Sequence, residues 1–321
     1  LIKEEYTVDG EAIRLLVIGS INMDLVMELE KVPEAGETVL GRSYSYIPGG
    51  KGANQAVAAA RLGGRVTFCG RIGNDSNGRI LLDNLRDDNI DTSFLKIDDE
   101  HQTGLAVIPV EADGENRIMV FPGANDAITR CDIDRAMEQA YDAIIMQLEI
   151  PLDMVYYAFD KAKAASIPVI LDTGPAKDIS LEKLKGIHVI SPNESEARTL
   201  TGIKVDDWES GLRAAKKLAD ASDATYVVIK MGKRGALLYE KGNDTHDIFP
   251  AYRVNAVDST AAGDSFTAAM AIKMLEYGDI RRAIAYANAV GALCVSRMGA
   301  QPSLPKAEEV EQFLTSRDSM G

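Results

Sequence analysis

Short, almost wholly apolar runs recur along this chain, each closing on a glycine or a polar residue and most followed by a stretch with helical spacing. Arg14-Leu-Leu-Val-Ile-Gly19 is the first, and residues 66–69, 143–146, 168–171, 188–190 and 226–229 repeat the pattern. Helical stretches at 80–89, 152–165 and 211–221 separate them. A strand with no polar alternation is buried on both faces, and strands joined through helices pair in parallel. The predicted fold is therefore α/β, a doubly wound, mainly parallel sheet with helices on both faces.

Two segments break that rhythm. Residues 25–48 hold short alternating stretches, Thr38-Val-Leu and Ser43-Tyr-Ser-Tyr-Ile47, divided by Pro and Gly. Residues 103–110 and 117–121 flank a turn containing Asp113-Gly114, a strong hairpin signal. Together they predict a small separate sheet. The expected division is a core of 14–24, 49–102 and 123–316, a small sheet of 25–48 and 103–122, and terminal extensions 1–13 and 317–321.

With 46% hydrophobic and 26% charged residues over 321 positions, the chain can bury a substantial core. Its net charge of -14 argues against nucleic acid or a membrane surface as partner, both of which need clustered Lys and Arg. Cys69, Cys131 and Cys294 are odd in number and widely spaced, so the sequence suggests neither a disulfide framework nor a zinc site. A reducing, cytoplasmic setting is expected. His101, His188 and His246 are scattered and enter no catalytic pattern. No apolar run reaches the ~18 residues of a membrane span.

The densest chemistry lies at Asp258-Ser-Thr-Ala-Ala-Gly-Asp264-Ser-Phe266. Residues 254–257 read as the end of a strand, while Phe266, Ala269, Met270 and Met274 recur at helical spacing up to Tyr277. The turn between them opens a helix. There the N–H groups of Ala261, Ala262 and Gly263 lack intrahelical acceptors and carry the positive end of the helix dipole. Such a terminus attracts phosphate, and small side chains let an anion approach closely. Asp264 adds a base beside the place where negative charge would develop, which suits phosphoryl transfer. The competing reading is that Asp264 or Ser265 merely caps a buried helix.

Other candidates fall at strand ends. Asn22 and Asp24 follow the first strand, where open α/β sheets place ligands, and a carboxylate can accept from two hydroxyls at once; a turn-forming pair is the alternative. Gly49-Gly50-Lys51-Gly52 feeds a small-residue helix over 53–62, yet matches neither a P-loop nor a dinucleotide fingerprint. Glu149 closes another strand. Asn193-Glu-Ser-Glu196 opens a helix with acidic charge in its first turn. Gly232-Lys-Arg-Gly235 either presents amides to phosphates or turns a hairpin into 236–239.

Asp258-Ser-Thr-Ala-Ala-Gly-Asp264-Ser-Phe266 resembles the C-terminal signature of the ribokinase (PfkB-type) carbohydrate kinases. Gly49-Gly-Lys-Gly-Ala-Asn-Gln-Ala-Val-Ala-Ala-Ala-Arg-Leu-Gly63 resembles their N-terminal one. The resemblance implies ATP-dependent phosphorylation of the 5-hydroxyl of D-ribose, with fructokinase and deoxyribose kinase chemistry as alternatives. It gives Asp264 as the base and Ala261, Ala262 and Gly263 as the anion hole. Asn22, Asp24, Gly50, Lys51, Gly52, Asn54, Glu149 and Asp264 would bind sugar. Asn193, Glu196, Lys230, Gly232, Gly235, Gly263 and Asn288, the last in a helix over 283–298, would bind nucleotide. Glu196 would organise Mg²⁺, and Asp258, Thr260, Cys294, Arg297, Gly299 and Ser303 would surround K⁺. The small sheet would be a lid over the sugar and the contact of a homodimer.

The chain departs from that family pattern twice. Lys230-Met231 stands where many ribokinases have Thr-Leu, and Asp172-Thr-Gly-Pro175 where Asn-Pro-Ala-Pro is frequent. A nucleotide-linked oxidoreductase is disfavoured by the missing dinucleotide fingerprint. A non-catalytic sugar sensor is disfavoured by the intact Asp264.

Overall fold

The computed structural model describes residues 12–113 and 115–318. The described residues run first through β1 (Arg14–Ile18), cross into β2 (Asn22–Leu29) and β3 (Gly41–Gly49), and return through α1 (Lys51–Arg61). Next come β4 (Arg65–Gly73), α2 (Ser76–Asp87), β5 (Asp91–Asp98), β6 (Gly104–Val110) and β7 (Met119–Phe121). An alternating stretch follows: α3 (Arg130–Ala136), β8 (Ala143–Met146), α4 (Leu152–Ala164), β9 (Val169–Asp172), β10 (Val189–Ser191), α5 (Glu194–Thr201) and α6 (Trp208–Ser222). The last part holds β11 (Tyr226–Lys230), β12 (Gly235–Glu240), β13 (Thr245–Pro250), α7 (Ala262–Tyr277), α8 (Ile280–Val295) and α9 (Ala307–Asp318).

Nine strands form one sheet in the order β13-β12-β11-β10-β9-β8-β1-β4-β5. Every pairing is parallel except β11 with β12 and β12 with β13. Alternate residues of the parallel strands enter two different cores. Leu15, Val17, Ile145, Ile170 and Val228 pack with α1, α7 and α8 on one face. Leu16, Ile18, Ile144, Leu171 and Ile229 pack with α3, α4 and α6 on the other. This explains the unbroken apolar runs, since neither face of these strands meets water. After β1 the strand order proceeds outward in both directions, through β4 to one edge and through β8 to the other, so the ends of β1 and β8 mark a switch point where a crevice opens.

A separate four-stranded sheet has the order β3-β2-β6-β7. β2 begins at Asn22, so Asn22 and Asp24 stand on this sheet where it leaves the end of β1. β6 and β7 pair antiparallel as expected, Leu105 opposite Phe121 and Val107 opposite Met119; Gly114 of the expected turn lies outside the described residues, as do residues 1–11 of the N-terminal extension and 319–321 of the C-terminal one. Tyr44, Tyr46, Met119, Val120 and Phe121 are all exposed on this sheet.

Two expected strand segments are not strands. Thr38-Val-Leu lies in irregular chain, with Leu40 92% exposed, so the segment lacks the buried face that would hold it in a sheet. Residues 254–257 are also irregular; the sheet has already ended at β13, and the amides of Val257 and Asp258 both donate to Val295 O at the end of α8 (2.7 and 3.2 Å). The helix expected over 283–298 starts earlier, at Ile280 with Asp279 as its cap, and stops at Val295.

Candidate active site

α7 begins without a capping side chain. Ala261, its N-cap, sits in the left-handed region at φ 60°, which a non-glycine residue adopts at a cost of about 1–2 kcal/mol. Among the described residues the amides of Ala261 and Gly263 have no acceptor, and that of Ala262 makes only a long contact with Ser259 O (3.3 Å). Two of the three expected donors are thus unengaged and the third only weakly held, an arrangement that can accept an anion.

Asp264 follows immediately and is buried, but among polar groups rather than apolar ones. Asn54 Nδ2 donates to Oδ2 (3.0 Å), while Lys51 Nζ (3.3 Å) and Gln55 Nε2 (3.4 Å) approach Oδ1. Gln147 Nε2 donates in turn to Gln55 Oε1 (2.6 Å), so a relay of two glutamines backs the acid. Neither glutamine was singled out from the sequence. The signal was present in both cases, a polar side chain inside an otherwise apolar or small-residue element. Asn54 Oδ1 is buried with no partner, a polar atom facing the same place.

Glu149 Oε2 accepts from Ser20 Oγ (2.5 Å) and from the Lys51 amide (3.0 Å), so it caps α1 from a distant strand end. Gly50 and Gly52 are needed for packing as much as for ligand approach. A Cβ on Gly50 would lie 2.7 Å from Asn22 N, and one on Gly52 2.7 Å from Ser20 N and O. Asn22 Oδ1 accepts from Asn125 Nδ2 (2.7 Å). The Asp24 carboxylate rests on Gly49, where a Cβ would come within 2.2 Å of Oδ2. Burial pushes the Asp24 carboxyl up to about 7, and the nearby Glu149 and Asp264 charges add to the rise. Lys51 is the opposite case: burial works against its ammonium, but Asp264, Asp172, Glu149 and Glu196 outweigh it and hold the group firmly charged.

On the other side of the α7 terminus a cavity of about 540 Å³ is lined by Lys230, Gly232, Gly235, Ser259, Ala262, Gly263, Phe266 and Asn288. Five of the sequence candidates for nucleotide therefore meet here. Gly232 to Arg234 form one tight turn between the antiparallel β11 and β12, so the hairpin reading holds while Gly232, at φ 52°, still faces the cavity. Gly235 is required structurally, since a Cβ there would meet Phe249 O at 2.0 Å. Asn288 turns its amide nitrogen to Phe249 O (3.0 Å) and Pro250 O (3.3 Å).

Asn193 and Glu196 lie outside this lining and form a reciprocal capping box on α5. Glu196 Oε2 accepts from the Asn193 amide (2.9 Å) and Thr173 Oγ1 (3.2 Å), and burial raises its carboxyl despite the Lys230 charge. Among the described residues no cluster of three or more His, Cys, Asp or Glu side chains could hold a metal ion. The Glu196 carboxylate is a hard oxygen donor of the kind that suits Mg²⁺.

Behind the terminus, Asp258 accepts from Thr260 N (2.9 Å), Thr260 Oγ1 (2.6 Å) and Gly299 N (2.9 Å). Cys294 Sγ contacts Ser303 Oγ (3.1 Å) and Thr260 O (3.6 Å). These cation candidates gather behind the terminus, and Arg297 joins them through its amide, which donates to Cys294 O (3.1 Å), while its side chain pairs with Glu309 (2.5 Å). Asp258 fixes the loop through hydrogen bonds in its own right.

Among the described residues no helix is long and apolar enough to cross a membrane. The model of the pfkB family of carbohydrate kinases matches residues 12–307. The ribokinase of Bacillus subtilis is 39% identical over 303 residues, covering 94% of this chain and 99% of that protein. The ribokinase of Haemophilus influenzae is 38% identical over 302 residues, with 94% and 98% covered. A deoxyribokinase of Salmonella typhimurium is 34% identical over 304 residues, again with 94% and 98% covered. The structure of Arabidopsis thaliana ribokinase complexed with ribose and ATP superposes with a TM-score of 0.87 at 32% identity, covering 95% of this chain and 99% of that one. Matched over nearly its full length, with the amide-rich α7 terminus and its adjoining acid in place, the chain belongs to the pfkB family of carbohydrate kinases.

Proposed function

We propose that the protein is an ATP-dependent ribokinase that phosphorylates the 5-hydroxyl of D-ribose. One observation carries this reading: the uncapped α7 terminus separates a cavity of nucleotide size from the polar cluster of Asp24, Lys51, Asn54, Glu149 and Asp264. Relatives named ribokinase, and one solved with ribose and ATP, support the choice of sugar and donor.

In this reading Asn22, Asp24, Gly50, Lys51, Gly52, Asn54 and Glu149 hold the sugar so that its primary alcohol faces Asp264. Asp264 accepts the hydroxyl proton as the O5–P bond forms and the bond from the γ-phosphorus to the bridging oxygen breaks, releasing ADP. The Ala261, Ala262 and Gly263 amides hold the equatorial oxygens, whose charge they meet without reorganisation. Asn193, Glu196, Lys230, Gly232, Gly235 and Asn288 line or flank the nucleotide's path. Glu196 would help hold Mg²⁺ bound with ATP, and the ion would neutralise charge on the phosphates. A K⁺ ion among Asp258, Thr260, Cys294, Arg297, Gly299 and Ser303 would stiffen the anion-binding turn from behind. The exposed aromatic and aliphatic face of the small sheet pairs with a second copy, making a homodimer in which that sheet covers the sugar. The setting is the cytoplasm, where ATP is available.

The deoxyribokinase relative keeps a second sugar in contention. A coupled ADP-release assay with MgATP over ribose, 2-deoxyribose, fructose and several nucleosides decides between them. Turnover highest on ribose is expected, and no turnover on ribose would overturn the proposal.

A further inference from the structure

The two departures from the family pattern touch each other. Lys230 at the end of β11 reaches across the end of β10 to Asp172 at the end of β9, with Nζ 2.5 Å from Oδ2. Thr267 Oγ1 of α7 lies 3.0 Å from the same carboxylate oxygen and 3.4 Å from Nζ, and the Gly174 amide donates to Oδ1 (3.0 Å). The Asp172 side chain is fully buried and that of Lys230 is 11% exposed. Burial alone would raise the Asp172 carboxyl, but the charges of Lys230 and Lys51 overcome it and hold the group ionised.

A buried ion pair is not a cheap way to fill this space. Neutral partners of similar size serve stability as well or better, because two charges must first be stripped of water. The family's frequent Asn and Thr at these positions would be such partners, yet this chain carries one charge of each sign. The location of the ammonium supplies a reason. Lys230 lines the nucleotide cavity, and a Cβ built on Gly263 would stand 3.6 Å from Nζ, so the charge lies directly beneath the amides at the start of α7. An ammonium has three N–H donors. Asp172 and Thr267 account for two directions, leaving one toward the cavity.

We propose that Lys230 is a phosphate-binding group of the nucleotide site, and that Asp172 holds its ammonium against the α7 terminus until an anionic oxygen of ATP arrives. This rests on the kinase reading above. Asp172 is then a positioning residue: its charge keeps the cation in place in the free protein, and its burial keeps it from reaching the phosphate itself. Lys51 approaches the same terminus from the sugar side, so the transferring group would lie between two ammonium ions.

The test is equilibrium binding of ATP and of adenosine, without sugar, to the wild type, to Lys230→Met, and to the double variant Lys230→Met/Asp172→Asn. The double variant removes both charges together, so it keeps the fold even if the single variant, with Asp172 left unpaired, does not. Loss of one charge-assisted hydrogen bond to phosphate should weaken ATP binding by about ten- to a hundred-fold in the double variant while adenosine binding stays unchanged. Full ATP affinity in the double variant would overturn the proposal, because the pair would then only balance its own charge. An equal loss for adenosine would overturn it as well. Failure of the kinase reading would show separately, as no ADP release by the wild type with any sugar despite intact ATP binding.

Discussion

Asp24 offers the most quantitative test of the sugar site. Its carboxyl moves from an ordinary 3.8 up to about 7, through burial first and then through Glu149 and Asp264. At ~1.4 kcal/mol per pH unit this is about 4 kcal/mol against the ionised form, an upper bound for a side chain near a solvated crevice. Ribose hydroxyls are best bound by the ionised group, which accepts from two of them and needs no hydrogen of its own. The carboxylate is about one-tenth populated at about pH 6 and about nine-tenths at about pH 8. Ribose Kd, measured by titration calorimetry without nucleotide, should therefore fall by about tenfold over that interval. Folding responds in the opposite sense. A carboxyl whose value is raised in the fold contributes stability that is complete below about pH 4 and is lost as pH rises through about 7. Asp24→Asn should accordingly weaken ribose binding, remove its pH dependence, and raise Tm more at about pH 8 than at about pH 5. A wild-type ribose Kd that is flat across this range, or an unaltered profile in Asp24→Asn, refutes both the raised carboxyl and its role in holding sugar.

Asp264→Asn should lower kcat by about 10²–10⁴ with little change in Tm, since Lys51 and Gln55 can still donate to the amide oxygen while the new NH2 faces Asn54, whose unpartnered Oδ1 can turn to accept from it; unchanged turnover would remove Asp264 as the base. The same substitution deletes one of the charges that raise Asp24, so the midpoint of ribose binding should move to lower pH, and a fixed midpoint would place the two acids too far apart to interact. Ala261→Asn tolerates the left-handed backbone and can cap α7, so thermal unfolding should show a gain of about 0.5–1 kcal/mol while kcat falls, because the side chain competes for the phosphate's donors. Rates in potassium should exceed those in tetramethylammonium at equal ionic strength; equality counts against a cation at Asp258 and Ser303. Sedimentation should show a dimer that Tyr46→Glu/Phe121→Glu converts to monomer, and a monomeric wild type would leave the exposed face of the small sheet unexplained.

The buried parallel strands were legible because water touches neither of their faces. β8 spans the run 143–146, and β1, β9, β10 and β11 match their runs to within a residue at each end. The edge strands β5 and β13 were not, because their mixed, half-exposed sequences Asp-Thr-Ser-Phe-Leu-Lys-Ile-Asp and Thr-His-Asp-Ile-Phe-Pro lack that signature. Residues 254–257 carry strand-like side chains, but the Val257 amide goes to Val295 O at the end of α8, a partner distant in sequence that the local pattern does not reveal. At the site, the α7 turn and Asp264 were readable because they are contiguous in sequence. The Gln147–Gln55 relay and the Lys230–Asp172 pair were not, since they join residues separated by 92 and 58 positions. Their only trace was local oddity: a glutamine among small residues, and two motifs altered together.

The contrast among helix starts shows where the fold places its costs. Asp75, Asn193, Asp207 and Asp279 each accept from a first-turn amide of α2, α5, α6 and α8, and Glu149 does the same for α1 from a distant strand. α4, after Pro151, and α7 have no capping side chain, and α7 in addition begins on a left-handed alanine. Forgoing a cap costs about 0.5–2 kcal/mol and the backbone about 1–2 more. The helix withstands this because residues 264–274 are buried without a break, between α1, α8 and the sheet. A terminus so firmly anchored behind cannot swing away to find another partner. Its amides stay fixed and open, so in the proposed reaction they would meet developing charge without reorganising. The raised Asp24, the unpartnered Asn54 Oδ1 and the buried Lys230–Asp172 pair lie around the same few residues. Local instability is concentrated where a ligand relieves it, so binding of sugar and nucleotide should stabilise this region more than any contact within the free protein does.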